Sequence, residues 1–138
     1  MIQFTVPGNP QGKARAFVTR RGIAFTPQKT VNYEAWIKSC FIQKYPDFKL
    51  IENPVSMRIE ICQDIPKSTS KKKKEMMKNG DICPAKKPDL DNVIKCFFDS
   101  LSGLVYHNDN QVYAIEAEKY YSYSPRVEIW IEERKEEK

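Results

Sequence analysis

Four residues of this chain have types and spacing that could do chemistry: Asp89, Asp91, Lys95 and Asp109. The first two lie in Pro88-Asp89-Leu90-Asp91-Asn92, Lys95 follows Asp91 at i+4, and Asp109 stands in His107-Asn108-Asp109-Asn110-Gln111. Hard divalent cations such as Mg²⁺, for which Mn²⁺ can substitute, take carboxylate oxygens and keep several waters. Two or three aspartates gathered by a helix start and a nearby turn therefore suffice to hold them. Three acids aimed at one pocket repel unless a cation or Lys95 neutralises them, and a phosphate could not approach without that neutralisation. The chemistry such a set offers is metal-dependent cleavage of phosphodiesters. The competing reading is structural: Asp at a helix N-cap satisfies free backbone N–H groups, acids in a first turn complement the helix dipole, and Asp109 between two asparagines shapes a turn.

The elements that must position these residues are legible in the periodicity. Leu90, Val93, Ile94, Phe97, Phe98 and Leu101 form one apolar arc at helical spacing, while Asp91, Lys95 and Asp99 follow one another at i+4 along another face. The spacing predicts a helix from Asp89 to Gly103, with an antiparallel return that could bring Asp109 back beside the helix start. Upstream, Ile2 to Val6 alternates as a strand, Pro7 to Gly12 breaks it, and Ala16 to Phe25 reads as a β pair turning at Arg20-Arg21-Gly22. Lys29 to Tyr45 carries Tyr33, Trp36, Ile37, Cys40 and Phe41 at helical spacing, an aromatic stripe expected to pack on the sheet. Val55, Met57, Ile59 and Ile61 alternate with polar partners as a half-buried strand. Ser68 to Lys78 reads as a short cationic helix stopped by Asn79-Gly80. Gln111 to Tyr121 and Pro125 to Glu133 read as strands joined at Ser122-Tyr123-Ser124, with 133–138 a frayed charged tail. Phe17, Phe25, Tyr106 and Tyr113 could wedge into a nucleic-acid partner or fill the core, and the core is the expectation, as large apolar side chains mostly lie inside.

The 138 residues are most simply one domain, 1–138, with a net charge of +5 that hides an asymmetry. Residues 1–88 hold 17 Lys/Arg against 7 Asp/Glu, whereas 89–138 hold 6 against 11. A basic half beside an acidic one suits a surface that attracts a polyanion next to a pocket that holds cations. Lys13, Arg15, Arg20, Arg21 and the run Lys71, Lys72, Lys73 and Lys74 are the candidate DNA contacts. Cys40, Cys62, Cys83 and Cys96 contain no C-x-x-C pair and His107 is the sole histidine, which argues against structural zinc. No apolar run approaches the ~20 residues of a membrane helix and the start lacks a signal peptide's apolar core. A cytoplasmic protein with reduced thiols and no membrane partner is the expectation.

Serine or cysteine chemistry through His107 lacks an orienting acid at recognisable spacing. A PD-(D/E)xK arrangement fails too, because the acid position before Lys119 is Ala117. A reading from another class stays open, a non-catalytic phage DNA-binding or replication accessory protein whose aspartates cap a helix.

Three segments together resemble a known family, the RusA-like Holliday junction resolvases common in prophages and phages. They are Phe4-Thr5-Val6-Pro7-Gly8-Asn9-Pro10-Gln11-Gly12-Lys13-Ala14-Arg15, then Lys87-Pro88-Asp89-Leu90-Asp91-Asn92 continuing through Lys95 to Leu101, then Asn108-Asp109-Asn110-Gln111-Val112. The resemblance implies an α+β fold, a single mixed α/β domain whose mostly antiparallel sheet packs with two or three helices, homodimeric. It further implies Mg²⁺ held by Asp89, Asp91 and Asp109, an essential lysine at Lys95, and paired symmetric cuts in four-way junction DNA during recombination and repair, without a nucleotide cofactor. Two positions depart from the family pattern: Asn108 stands where a second acid is frequent, and Ala16 follows Arg15 where a proline and another basic residue are frequent.

Overall fold

A computed structural model of the chain describes residues 1–135. A four-stranded sheet is built from β1 (Ile2–Pro7), β4 (Val55–Asp64), β5 (Val112–Ser122) and β6 (Arg126–Glu133) in the order β1-β6-β4-β5. A two-stranded hairpin, β2 (Phe17–Val18) with β3 (Ala24–Phe25), stands apart from it. The helices are α1 (Gln28–Lys44), α2 (Lys71–Lys78) and α3 (Leu90–Leu101). The domain is the single mixed α/β unit expected, with two of the three sheet pairings antiparallel and β4–β5 parallel.

The alternation in the strands decides which face is covered. Ile2, Phe4 and Val6 of β1, Val55, Met57, Ile59 and Ile61 of β4, and Val127, Ile129 and Ile131 of β6 all point to one side and are buried. Tyr33, Ile37 and Phe41 of α1 and Val93, Cys96, Phe97 and Leu101 of α3 close over them. Each large apolar side chain so buried contributes roughly 1.5–3 kcal/mol, so the two helices are fixed mainly by this shared layer. Burial pushes the Cys96 thiol up to about 12, in keeping with a core residue rather than a nucleophile.

Several expectations are corrected. Trp36 is 45% exposed instead of lying in the α1 stripe, because it sits one helical step to the side of the Tyr33–Ile37–Phe41 line, and its indole N–H donates to the Pro7 carbonyl at 2.8 Å. Of the four aromatics expected in the core only Tyr106 is there; Phe17, Phe25 and Tyr113 are exposed, the first two paired across the free-standing hairpin at 5.3 Å. The cationic helix begins at Lys71 with Ser70 as its cap, its hydroxyl accepting from the Lys73 N–H. β5 and β6, although joined by three residues, are not neighbours, since β4 lies between them and pairs with both. Arg126 ties that short connection, donating to the Ser124 carbonyl at 2.8 Å and the Ser122 hydroxyl at 3.2 Å. Glu133 belongs to β6, where it accepts from the Asn53 amide at 2.9 Å, and Arg134 N–H donates to Pro54. The tail expected at 136–138 lies outside the described residues.

Candidate metal and nucleic-acid site

Asp89 occupies the N-cap of α3 with an extended backbone, yet its side chain makes no cap hydrogen bond. Asp91 is exposed in the first turn, where one carboxylate oxygen accepts the Asn92 N–H at 3.0 Å, and Lys95 is exposed one turn further along. None of the three enters an ion pair among the described residues, although Asp99, Glu34, Glu60, Glu116 and Glu128 all do. The capping role that would account for Asp89 structurally is therefore not being performed. The Lys87–Pro88 peptide bond just before it is cis.

The turn carrying Asp109 is organised by its neighbours. Asn108 caps the 3₁₀ turn Asp109–Gln111, its side-chain oxygen accepting the Asn110 N–H at 3.1 Å. Gln111 does the rest: its carbonyl oxygen accepts from His107 N–H at 2.8 Å and Asn108 N–H at 3.1 Å, and its amide donates to the carbonyls of Ile51 at 2.8 Å and Asn53 at 3.1 Å. One side chain thus satisfies four main-chain groups and pins the turn to the segment before β4, leaving the exposed Asp109 carboxylate uncommitted to a cap. Sequence reading passed over this role of Gln111; its place two residues after Asp109, before a strand, was the available signal. Gln111→Leu should cost about 1–3 kcal/mol, because it strands part-buried groups, and, in a nuclease that uses Asp109, should lower cleavage further than melting predicts. Thermal melts run beside cleavage assays check both.

The acids do not converge within one chain. Asp89 starts α3 at the end of the sheet where Gln63 of β4 donates to the Lys87 carbonyl at 3.0 Å. Asp109 precedes β5 at the opposite end, where Val112 pairs with Val55. The stretch of β4 between Val55 and Gln63 spans roughly 25 Å at the rise of a strand, and no group of three or more His, Cys, Asp or Glu among the described residues could hold a metal. The expected return beside the helix start fails for a plain reason. The strand after the helix does run back, but Asp109 stands where that return begins.

The basic residues divide. Arg15, Arg20 and Arg21 are exposed on the loop and the hairpin, and Lys71, Lys72, Lys73 and Lys74 lie on α2, which buries no residue. Lys13, expected at the DNA surface, has another job: its ammonium is bound by Asp99 of α3 and lies 3.7 Å from Glu34 of α1, and the hydrogen bond to Asp99 raises its pKa above the ordinary lysine value. Beside it, Lys13 N–H donates to the Asn92 carbonyl at 3.0 Å, and Gly12 approaches α3 so closely that a Cβ there would stand 2.9 Å from the Asn92 Cβ. The loop is thereby clamped to the turn of α3 that bears Asp89 and Asp91. A cleft of about 470 Å³ opens between them, lined among others by Gly12, Lys29, Lys87 and Asp89, and adds Lys29 and Lys87 as cations that sequence reading did not single out. If Lys13 positions the acids of a Mg²⁺-dependent junction nuclease, Lys13→Met and Asp99→Asn should both raise the Mg²⁺ concentration needed for cleavage and leave junction affinity in Ca²⁺ within twofold. A direct phosphate contact would instead weaken binding and lower the salt slope by about 1 for Lys13→Met alone.

Unpaired carboxylates on a rigid helix start, beside a lysine-lined cleft in a small α/β domain, are a combination suited to handling phosphodiesters through bound cations. Residues 7–132 match the family model Endodeoxyribonuclease RusA, and the chain belongs to that family. It is also similar to the uncharacterized protein YqaN of Bacillus subtilis (strain 168), with 37% identity over 137 residues covering 96% of each chain. No helix among the described residues is long and apolar enough to cross a membrane.

Proposed function

We propose that the protein is a Mg²⁺-dependent, homodimeric endonuclease that resolves four-way DNA junctions by paired symmetric hydrolysis, in recombination and repair. The carrying observation is that Asp89, Asp91, Lys95 and Asp109, the charged residues of the family's pattern, are exposed and, among the described residues, make no side-chain cap hydrogen bond and no ion pair. Their oxygen donors fit a hard divalent cation, and Asp89 and Asp91 alone leave it short of ligands. Because Asp109 lies at the far end of the sheet, a second subunit must deliver it: each metal site takes Asp89 and Asp91 from one protomer and Asp109 from its partner. A C2 pair then holds two equivalent sites, which matches two cuts at symmetric positions in a four-way junction.

When bound, the metal supplies a water of lowered pKa and offsets charge on the leaving oxygen. Lys95, exposed next to Asp91 on the helix, binds a non-bridging phosphate oxygen as a point cation and stabilises charge in the transition state. Lys29 and Lys87 in the cleft, with Arg15, Arg20 and Arg21 beyond it and Lys71 to Lys74 on α2, hold the phosphate backbone and place the scissile bond over the acids, without reading sequence. Products carry 5′ phosphate and 3′ hydroxyl ends.

The accessory-protein reading depends on the aspartates serving as caps, and neither Asp89 nor Asp109 does. The test is cleavage of a labelled synthetic junction beside linear duplex, with Mg²⁺ or EDTA. Paired symmetric nicks on the junction alone, abolished by EDTA, are expected; tight binding with no cut in Mg²⁺ or Mn²⁺ would return the protein to the accessory class.

A further inference from the structure

The hairpin β2–β3 carries an apolar face that the fold does not cover. Phe17 and Phe25 are directly opposed across it, their rings 5.3 Å apart, and stand 53% and 44% exposed. Beyond them the Thr19 N–H donates to the Ile23 carbonyl at 2.9 Å and carries the ladder one pair further. Side chains alternate along a strand, so Ile23, also exposed, shares the face of the two rings. None of the three belongs to the core. At the tip the Gly22 N–H donates to the Thr19 carbonyl at 2.9 Å and closes a tight turn, Gly22 taking the left-handed φ of +79° that the return requires. That turn holds Arg20 and Arg21 outward. A contiguous exposed apolar face rimmed by charge marks a place of contact.

Charge decides what that face meets. Residues 1–33 contain no Asp or Glu, so nothing near the hairpin in sequence offsets its cations. Arg15 at its root and Arg20 and Arg21 at its tip are exposed and enter no ion pair among the described residues. Two aromatic rings framed by three unpaired guanidinium groups suit a polyanion that also offers flat apolar surface, which is DNA with bases out of the stack. Every base has a π face for an aromatic ring, and arginines meet the flanking phosphates. We infer that the hairpin is a stacking platform for unpaired bases, with Phe17 and Phe25 as the rings that receive them.

The root of the hairpin fixes where those bases lie. Ala14 before it and Thr30 after it are joined, the Ala14 N–H donating to the Thr30 hydroxyl at 3.1 Å, and both line the cleft that contains Asp89. The hairpin therefore rises from the rim of that cleft. The stretch Phe17 to Arg20 reaches roughly 13 Å at the rise of a strand, the depth of about four stacked bases. In linear duplex the bases are paired and stacked and the platform finds nothing to receive; at a branch point unstacking costs least. The platform thus favours branched over linear DNA without reading sequence. It deepens the nuclease reading above, on which its role beside the cut rests, while the stacking itself needs no metal.

Fluorescence anisotropy in EDTA tests it, on a labelled oligothymidylate strand, a linear duplex and a four-way junction, with circular dichroism confirming the fold of each variant. Phe17→Ala and Phe25→Ala should each weaken strand and junction binding by about tenfold and leave the duplex within about twofold, since its bases stay stacked. Phe25→Trp should retain affinity, and its added indole emission should be quenched by the strand beyond any change seen in the wild type. Phe25→Leu, apolar but without a π face, should behave like the alanine variant. No strand binding by the wild type, unchanged affinity in both alanine variants, or Phe25→Leu as good as Phe25→Trp would overturn the platform. A protein that binds strands through Phe17 and Phe25 but cuts no junction in Mg²⁺ would leave the platform standing and remove the nuclease reading instead.

Discussion

Asp91→Asn is expected to abolish junction cleavage, by a factor on the order of 10³ or more, while leaving the fold and junction binding intact. The substitution keeps the shape and the side-chain oxygen that accepts the Asn92 N–H at 3.0 Å, so the first turn of α3 is preserved. What it removes is one negative charge from an exposed carboxylate that enters no ion pair among the described residues. A structural aspartate at this position predicts the reverse, with unchanged activity and some loss of stability from the weakened interaction with the helix dipole, about 0.3–1 kcal/mol. Cleavage rates under single-turnover conditions, with binding measured in Ca²⁺, separate the two: the site reading requires lost rate at constant affinity, beyond the small change in melting temperature that either reading allows.

Asp109→Asn is expected to be as damaging, although Asp109 lies at the other end of the sheet from Asp91. Turn formation gives no reason for such a loss. Asparagine suits turns at least as well as aspartate, and the local hydrogen bonds are made by Asn108 and Gln111. Stability should hold while the rate falls by about the same order as for Asp91→Asn. Substitution of the neighbouring His107, whose ring hydrogen-bonds Glu52 at 2.9 Å on the surface and whose main-chain bond to Gln111 any side chain retains, should leave cleavage near the wild-type rate and marks the boundary of the site.

Local features of this fold were legible in the sequence because they are encoded locally. The alternation of Val55, Met57, Ile59 and Ile61 and the arc of Val93, Phe97 and Leu101 each state which side is buried, and the structure follows them. The Pro88 to Asn92 segment announces both a helix start and its acids. What the sequence hid was long-range. Nothing local to β5 or β6 says that β4 will enter between them, so the two read as simple successive strands. Lys13 reads as a free basic residue because Asp99 and Glu34, which hold it, are remote in the chain and reach it only once α1 and α3 pack together. Phe17 and Phe25 read as core because their size favours burial, yet the hairpin that carries them is a separate two-stranded sheet and leaves both exposed. The placement of Asp109 depends on which end of the sheet the chain has reached when α3 finishes, and a helix of 12 residues advances it by roughly 18 Å from Asp89.

That placement supplies the most direct test. Asp91→Asn and Asp109→Asn proteins, each inactive alone, are mixed, allowed to exchange subunits, and assayed on a labelled four-way junction in Mg²⁺. If each site draws Asp91 from one protomer and Asp109 from the other, a mixed dimer holds one complete site and one doubly defective site. The mixture should then recover about a quarter of the wild-type nicking rate, as single unpaired nicks. A mixture as inactive as its components, with subunit exchange confirmed, would contradict the shared site and place each set of acids within its own chain.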